Sequence, residues 1–487
     1  MGKCVTKILS SNEVSKLREE TILLLQNVGV IISHEEAKKM LEEAGAEVNQ
    51  QTDLVKIPAK LSEDCLAKLP KTIVYGARNP EKDIVIGPGN EKVYTRSISG
   101  AELYYDLYDG KCRKARIADV KDWAILIDAL DNLHECTAPY FTEEGFNLQA
   151  RDVRALEILL ENSTKHIVMQ AYGPKNLEYC INLALAERGS EKELKKRPRF
   201  SIHVSPVPPL HYHANSVSQI LMAGKYGIPI EICTMPFMGI SSPITLAGGV
   251  LMALAEHLAA VVILQVSTPG APIMIAPRCA PVNMVRGTAS LGAVEHAITS
   301  AALVQIAKEG FGWQINTIIQ TDSFVADAQT IMERSFLAIL NASAGVDTMS
   351  GAGQCGSGNT LDPALLIIDD DLFGMMFRMK RGIEINNDTL GLEVIKRVGI
   401  GSGKSYLSDP HTLKYFKSEY FRPKIATSTS RDAWEADGRK DLYQKARERA
   451  IKILKEYQTP VLKESIIGDL RSIMVSAERE IITTTTV

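Results

Sequence analysis

The sequence predicts an α/β protein built around a (β/α)₈ barrel, a TIM barrel, with an N-terminal α/β cap and a C-terminal helical segment. Short apolar runs alternate with helical stretches through residues 117–384, and a strand followed by a helix, repeated, builds a parallel sheet. That region is close to the roughly 250 residues typical of a closed barrel. The chain on either side of it shows no such alternation, so we predict three parts, 1–116, 117–384 and 385–487.

The first part, residues 1–116, is predicted to be a small cap. Asn12 can cap a helix that Gly29 ends, and a second helical pattern stops at Gly45. A short strand at 54–57 and a further helix follow. The stretch from 86 to 116 then indicates a β-meander with a tight turn at Asp109-Gly110.

The barrel strands are predicted from short apolar runs. Six runs are clear, at residues 167–170, 200–204, 228–233, 273–276, 314–319 and 348–350. Helical patterns separate them, at 176–186, 216–226, 247–265, 290–308 and 328–344. The first strand is expected near 134–140 and the last near 365–368, which completes eight.

The remaining residues, 385–487, read as charged helices that pack on the barrel. Just before them, Asp369, Asp370 and Asp371 open a helix that closes with Arg381 and Gly382. Acidic residues at the start and basic residues with glycine at the end complement the helix dipole.

Composition excludes several classes of protein. The formal net charge of −3 lacks the basic excess of a nucleic-acid binder. The eight cysteines are scattered without zinc-site spacing, which favours reduced thiols in the cytoplasm. His211 and His213 could bring two imidazoles together, but no third ligand is evident, so no metal is expected. The apolar stretch 248–266 contains Glu256 and His257, and it is therefore predicted to be a buried helix without membrane contact.

Active sites of such barrels lie where the strands end. The residues that follow the predicted strands are rich in proline, glycine and methionine and poor in acid–base machinery, but they carry aromatic side chains. We expect these rings to hold a cation that cannot be deprotonated, at about 0.5–2 kcal/mol per ring. The candidate aromatic residues are Tyr94, Tyr140, Tyr172, Phe237 and Phe324.

Four polar residues complete the candidate site. Asp322 and Glu231 are the candidate catalytic carboxylates and would add long-range attraction for a cation. Arg278 could clamp a substrate carboxylate with two parallel hydrogen bonds, as a betaine would require. Gln320 is a further candidate substrate contact.

Structural alternatives stay open for several of these residues. A ring at a strand end, such as Phe237 or Tyr172, is more often simple packing. Arg278 has an equal claim to a role as the partner of an acid on a neighbouring loop. Asp322 has an equal claim to a role as the N-cap of the following helix.

Several segments resemble the trimethylamine methyltransferase (MttB) family, including residues 30–69 and 105–110 near the N-terminus, and the resemblance extends over nearly the whole chain. The main segment is PIEICTMPFMGISSPITLAG at residues 229–248. The others are PGAPI at 269–273, TDS at 321–323 with DAQ at 327–329, IDD at 368–370 with RGIE at 381–384, and DPHTL at 409–413.

This resemblance implies a barrel that delivers a methyl group to the Co(I) corrinoid of a separate, cognate corrinoid protein, with no cofactor bound permanently to this chain. Trimethylamine enzymes of the family carry pyrrolysine, whereas this sequence has only standard residues. The branch without pyrrolysine is associated with glycine betaine, proline betaine, carnitine and γ-butyrobetaine. A small quaternary amine is therefore the expected substrate, and a homo-oligomer the expected assembly.

Three other functions compete with this one. The first is an unrelated barrel lyase or hydrolase that uses Asp322, Glu231 or a histidine as its base. The second is a non-catalytic protein that binds quaternary amines. The third is the same transfer with a trimethylamine-type substrate.

Overall fold

The computed structural model describes residues 5–143 and 146–483, and its centre is a barrel of eight parallel strands. We number these strands in chain order. They are β1 (Tyr94–Ser97), β2 (Glu135–Cys136), β3 (His166–Met169), β4 (Phe200–Val204), β5 (Ile230–Ile232), β6 (Ile273–Ile275), β7 (Asn316–Ile318) and β8 (Thr348–Ala352). Strand β8 pairs with β1, and a bridge from Ile275 to Ile315 joins β6 to β7, so the sheet closes. The predicted (β/α)₈ architecture is confirmed.

Each strand is followed by a helix that covers the outside of the barrel. The eight helices are α1 (Ile117–Ala129), α2 (Arg151–Asn162), α3 (Pro174–Arg188), α4 (Ala214–Lys225), α5 (Leu246–Ser267), α6 (Val294–Ile306), α7 (Ala328–Ala344) and α8 (Pro363–Arg381). Side-chain caps start several of them: the Asp327 carboxylate accepts from the backbone of Thr330 at the start of α7. Gly345, with φ of 97°, ends the same helix in the left-handed conformation that glycine tolerates.

Two predicted strands lie elsewhere than expected. The first strand of the barrel is β1, which lies within the predicted cap, and residues 134–140 contribute the second. The sequence of β1, Tyr-Thr-Arg-Ser, shows no apolar alternation, because Arg96 points into a polar lumen. Residues 365–368 belong to α8 and not to a strand. Four apolar residues in a row are compatible with a buried helix as well as with a buried strand, so the sequence pattern alone could not distinguish them.

The cap closes the amino-terminal end of the barrel. A hairpin of Ile73–Tyr75 and Ile84–Ile86 inserts there, and the buried Tyr75 ring lies 4.7 Å from the ring of His166, the first residue of β3. The rest of the cap comprises helices Ser11–Asn27, Glu35–Glu43 and Ala59–Leu66, which pack on α5, a short 3₁₀ helix Pro80–Lys82, and a sheet of Val30–Ile32, Glu47–Asn49, Leu54–Lys56 and His211–Tyr212. Because this hairpin plugs the amino-terminal end of the barrel, the carboxyl-terminal end of the strands is the accessible mouth.

Small strands and helices decorate the mouth. One sheet combines Leu103–Tyr105 and Cys112–Lys114 with Gln354–Cys355 and Thr360–Leu361, and another combines Phe237–Met238, Ala280–Asn283 and Thr288–Ala289. Short helices Leu148–Ala150 and Gly356–Gly358 lie in the loops after β2 and β8, whereas Glu191–Lys196 and Ala307–Phe311 follow α3 and α6 at the opposite end of the barrel. The small strands and the first two of these helices lengthen the loops that build the rim.

Helix α5 is long and apolar enough to cross a membrane by length and composition, but most of it is buried within the protein. It packs against the helices Ser11–Asn27 and Ala59–Leu66. Its two titratable residues, Glu256 and His257, are fully buried, and the His257 Nε2 atom lies 2.9 Å from the Ile232 carbonyl. The helix is thus a core element, in agreement with its sequence.

The C-terminal residues form six helices: Asn387–Leu390, Leu392–Val398, Pro410–Glu419, Arg431–Ala436, Leu442–Glu456 and Glu464–Thr483, with a 3₁₀ turn at Tyr406–Ser408. Helix Leu442–Glu456 packs on α8 and α1, and Glu464–Thr483 packs on α3 and α2. These last two helices pack on the outside of the barrel.

Candidate functional site

A network of charged side chains crosses the lumen below the mouth. The Arg96 guanidinium donates to both carboxylate oxygens of Glu231, at 2.9 and 2.7 Å, and to the Glu135 carboxylate at 3.2 Å. The His203 Nε2 atom lies 2.7 Å from the same Glu231 carboxylate. Strand register explains the grouping, since Arg96 pairs with Glu135 across β1 and β2, and His203 pairs with Glu231 across β4 and β5.

The two carboxyl groups of this network differ in ionisation. Burial raises the pKa of Glu135 to about 7, and Arg96 only partly opposes the rise. Burial also disfavours the charged form of Glu231, but Arg96 and His203 more than offset it and hold the pKa of Glu231 below its ordinary value. Glu231 is therefore the ionised partner of Arg96, and Glu135 changes protonation near neutral pH.

Histidine 203 is where this network reaches the mouth. Its side chain is 13% exposed, whereas Arg96 and Glu231 are sealed below it. Burial lowers the pKa of His203, and the neighbouring Glu231 only partly counteracts this. Cys233, two residues beyond Glu231 and just past the end of β5, is half-buried, and its backbone N–H donates to the carbonyl of Val204, the residue after His203. His203 and Cys233 thus form the floor of the mouth.

Arg278 lies just past the end of β6 and is almost completely buried, at 3% exposure. Its guanidinium donates to the carbonyls of Pro277 and Asn316, at 3.1 and 3.3 Å, to the Asn316 side chain, and to the Ser350 hydroxyl at 3.2 Å. None of the carboxylates in the described part of the chain lies within salt-bridge distance of it. Arg278 therefore carries a buried positive charge whose polar partners are all neutral.

Asp322 joins three loops of the rim. One carboxylate oxygen accepts from the Leu291 backbone N–H at 2.9 Å and from the Ser357 hydroxyl at 2.9 Å. The other oxygen accepts from the Gly292 backbone N–H at 3.1 Å. These partners belong to the loops after β6 and β8, so Asp322 ties them to its own loop after β7. The N-cap of α7 is Asp327.

Two of the candidate aromatic residues come together at the mouth. The rings of Tyr140 and Tyr172 are 5.7 Å apart and inclined by 57°. The guanidinium carbon of Arg151 lies 4.7 Å from the centre of the first ring and 4.9 Å from the second, within cation–π range. The Tyr140 hydroxyl also donates to the Gln170 side chain at 2.9 Å. The pair does bind a cation, and that cation is an arginine of the protein itself.

The other predicted residues are dispersed. Phe237 is half-buried in a short rim strand, and Phe324 is 73% exposed on the loop after β7. Within the described residues, neither ring stacks on the tyrosine pair. Tyr94 is the first residue of β1, at the plugged end of the barrel, where its ring lies edge-on to His134 at 5.3 Å. Gln320 is buried at the end of β7, and its Oε1 atom has no hydrogen-bond partner in the described structure.

Sequence reasoning missed His203 and Arg151. A signal existed for His203, because it is a polar residue inside the predicted apolar strand 200–204, and such residues face a barrel lumen. Arg151 offered no comparable signal. It is one of many charged residues at a helix start, and only the folded chain places it between two tyrosine rings.

The histidine pair of the sequence analysis lies in the loop after β4, where that loop pairs with the cap sheet. The rings of His211 and His213 are 3.9 Å apart, and the His211 Nε2 atom lies 3.1 Å from the Ser33 hydroxyl of the cap. In the described ranges, 5–143 and 146–483, three or more His, Cys, Asp or Glu side chains are nowhere grouped as metal ligands would be.

Exposed apolar side chains line about half of the rim. They stand on four successive loops, those after β4, β5, β6 and β7, and include Val207, Ile240, Ile244, Met284, Val285, Phe324 and Val325. Among them Val285 is 96% exposed. Apolar surface concentrated around the opening of a site indicates contact with another large molecule. We refer to these seven residues as the apolar crown.

Comparisons with known proteins agree over nearly the whole chain. The family described as trimethylamine methyltransferase (MTTB) matches residues 2–481. Trimethylamine methyltransferase MttB of Desulfitobacterium hafniense is 31% identical over 474 residues, which are 97% of this chain and 94% of that protein. MttB of Methanosarcina barkeri is 29% identical, with 97% and 95% coverage. A glycine betaine methyltransferase of Desulfitobacterium hafniense is 26% identical, with 99% coverage of both chains.

A solved structure supports the same fold. The crystal structure of the Methanosarcina barkeri monomethylamine methyltransferase (MtmB) superimposes with a TM-score of 0.53, covering 91% of this chain and 93% of that one. Sequence identity between the two is 12%, so this likeness bears on the fold alone.

Proposed function

Because the chain belongs to the trimethylamine methyltransferase family and is a methyltransferase, we propose that it moves a methyl group from a small quaternary amine to the reduced corrinoid of a separate protein. One observation carries the choice of substrate: both candidate acid–base residues are already engaged. Glu231 is the buried partner of Arg96, and Asp322 binds backbone N–H groups of the rim. Chemistry that needs no proton transfer suits such a site.

A quaternary amine meets this condition. Its nitrogen is positively charged at every pH. When a nucleophile takes a methyl group from it, the leaving group is a neutral tertiary amine, which needs no general acid. A reduced corrinoid supplies the nucleophile for the methyl group when it is bound at the mouth. The tasks left to this chain are to position the amine and to exclude water from it. His203, Cys233 and Gln320 would form the surface on which the amine rests.

The apolar crown fits a corrinoid protein as the partner. It borders about half of the opening through which the corrinoid would reach the amine, and its side chains are exposed. We propose that the corrinoid arrives with the partner and leaves with it.

The same reasoning argues against a lyase or hydrolase. Such an enzyme needs a base within reach of its substrate. Glu231 is sealed below His203, and both oxygens of Asp322 accept hydrogen bonds from the rim. A base role for either would require its present partners to be released.

The proposed substrates are glycine betaine, proline betaine, carnitine and γ-butyrobetaine. One relative is named a glycine betaine methyltransferase, which supports this class. Trimethylamine is the second candidate, since relatives at 28–31% identity carry that name. The absence of pyrrolysine from this chain favours the quaternary amines.

The experiment is a substrate panel with chemically reduced cobalamin. The four betaines, tetramethylammonium and trimethylamine are each incubated with the protein, and absorbance reports conversion of cob(I)alamin to methylcobalamin. We expect conversion with at least one quaternary amine and none with trimethylamine. Heat-denatured protein measures the uncatalysed background. Tight binding of a betaine without conversion would favour a binding protein, and failure with every quaternary amine would remove the proposal.

Assembly and location follow as parts of the same proposal. We propose a homo-oligomer in the cytoplasm, without nucleic-acid or membrane partners. Analytical ultracentrifugation of the purified chain tests the assembly, and a monomer at micromolar concentration would contradict it.

A further inference from the structure

The guanidinium of Arg151 stands at the mouth on the faces of two tyrosine rings. Arg151 is the first residue of α2, and its side chain lies over the rings of Tyr140 and Tyr172 at 4.7 and 4.9 Å. Within the described residues, no carboxylate lies within 4.0 Å of it. The group is therefore a positive charge held in place by aromatic faces.

The adjacent acid, Asp152, interacts electrostatically with Arg151 but forms no salt bridge with it. The Asp152 carboxylate accepts from the backbone N–H of Tyr172 at 2.8 Å and from the side chain of Asn176 at 2.7 Å. It is turned into the protein, where burial raises its pKa to about 7. Asp152 fixes the loop that carries Tyr172, and so it helps to hold the ring that supports Arg151.

We propose that Arg151 binds the carboxylate of a betaine substrate, and that it makes the enzyme selective for zwitterions over plain quaternary cations. This inference rests on the proposed function and deepens it, because it names the substrate class and the residue that selects it. A guanidinium has five N–H donors arranged to bind a carboxylate by two parallel hydrogen bonds.

Donor capacity distinguishes Arg151 from Arg278, the arginine that the sequence suggested for this role. Arg278 already makes four hydrogen bonds, to Pro277, Asn316 and Ser350. Within the described residues, Arg151 makes one hydrogen bond, from Nε to the Tyr172 hydroxyl, which leaves the N–H groups of both terminal nitrogens for a ligand. In Arg278 both terminal nitrogens are already engaged.

Preorganisation supports the same assignment. The two tyrosine rings restrict the arginine side chain before substrate arrives, which reduces the entropy lost on binding. The hydroxyl of Tyr140 is itself held by Gln170, the residue that follows β3. The receptor is thus built on the ends of two adjacent strands, and its position relative to the lumen is defined by the barrel.

The test separates the carboxylate from the ammonium group. Kinetics with glycine betaine and with tetramethylammonium are measured for wild type, R151Q, R151K and the control R154Q, which changes an arginine one turn further along α2. We expect R151Q to raise KM for glycine betaine by about 10- to 100-fold, the effect of losing hydrogen bonds to a charged group. Turnover of tetramethylammonium should change less than twofold in the same variant.

Binding of tert-butylacetate provides a second readout. This anion has the shape and carboxylate of glycine betaine but lacks the positive nitrogen. We expect it to compete with glycine betaine in wild type and in R154Q, and to lose at least tenfold in affinity in R151Q. R151K keeps the charge but not the paired donors, and we expect an intermediate KM.

The outcomes distinguish this inference from the proposed function. If wild type methylates cobalamin from no quaternary amine, the proposed function fails and the inference fails with it. If wild type uses glycine betaine and R151Q has an unchanged KM, the inference fails alone. If R151Q loses activity equally with glycine betaine and with tetramethylammonium, Arg151 has a structural role, and the inference is overturned as well. If R151Q does not fold, R151K decides, because an unchanged KM in that variant contradicts paired hydrogen bonding.

Discussion

The Glu231→Gln substitution tests whether one ion pair organises the lumen. In the folded protein Glu231 accepts two hydrogen bonds from the buried Arg96, and His203 lies 2.7 Å from it. Removing one member of a buried pair leaves the other charge uncompensated, at a cost of about 3–5 kcal/mol. The amide of glutamine would also present a donor to the donors of Arg96.

The cost converts into a melting temperature. The unfolding entropy of about 2.1 cal/mol/K per residue corresponds, for a chain of 487 residues that melts as one unit, to about 1 kcal/mol per degree. We therefore expect Glu231→Gln to lower Tm by about 3–5 °C. Glu135 moderates the loss, because its carboxylate also accepts a hydrogen bond from Arg96 and remains as a counter-ion in the variant. The lower end of the range should apply at pH 8.

Glu135→Gln is the matched control. It removes a carboxylate from the same guanidinium but only one hydrogen bond, of 3.2 Å, and it leaves the pair of Arg96 with Glu231 intact. We expect it to cost about 1 kcal/mol or less, within the usual net contribution of one hydrogen bond. Differential scanning calorimetry of the three proteins at pH 8 provides the measurement. A Tm for Glu231→Gln equal to or above that of Glu135→Gln would refute the view that Glu231 is the dominant counter-ion.

Three further predictions concern the rim, the partner and pH. Asp322→Asn should lower Tm by about 1–3 °C, because the new amide group faces backbone N–H donors. The shape of the pH profile of turnover should not change; if the variant lost one side of a bell-shaped profile, Asp322 would be the catalytic base after all. The double variant Ile240→Ser with Val285→Ser should slow transfer to a corrinoid protein but not to free cobalamin; equal slowing of both would contradict the crown as a docking surface. Asp152 and Glu256 have pKa values raised to about 7 by burial, so the folded state binds more protons than the unfolded state, and their contribution to stability falls as pH rises from about 4 to 7. Asp152→Asn and Glu256→Gln should each flatten the decline of Tm between pH 5 and 8; a slope equal to that of wild type would refute this assignment.

The sequence by itself determined the architecture, because the alternation of apolar runs with helical patterns is a local property that each segment carries independently. It failed where local pattern and environment disagree. Strand β1 carries Arg96 into a polar lumen and therefore lacks an apolar signature, while residues 365–368 are buried on all sides as part of a helix. The motifs at 229–248 and elsewhere were enough to predict the family, and that prediction is confirmed.

Only the tertiary structure decided which candidate groups are free to act. Whether a carboxylate can act as a base or only as a structural hydrogen-bond acceptor depends on the donors that reach it. For Asp322 these donors come from residues about 30 or more positions away in the chain. The tyrosines were expected to hold a cation, but folding places Arg151 between them. Hydrogen bonds and cation–π contacts act over a few ångströms. Their partners are therefore chosen by three-dimensional proximity, which the order of residues along a strand and helix does not reveal.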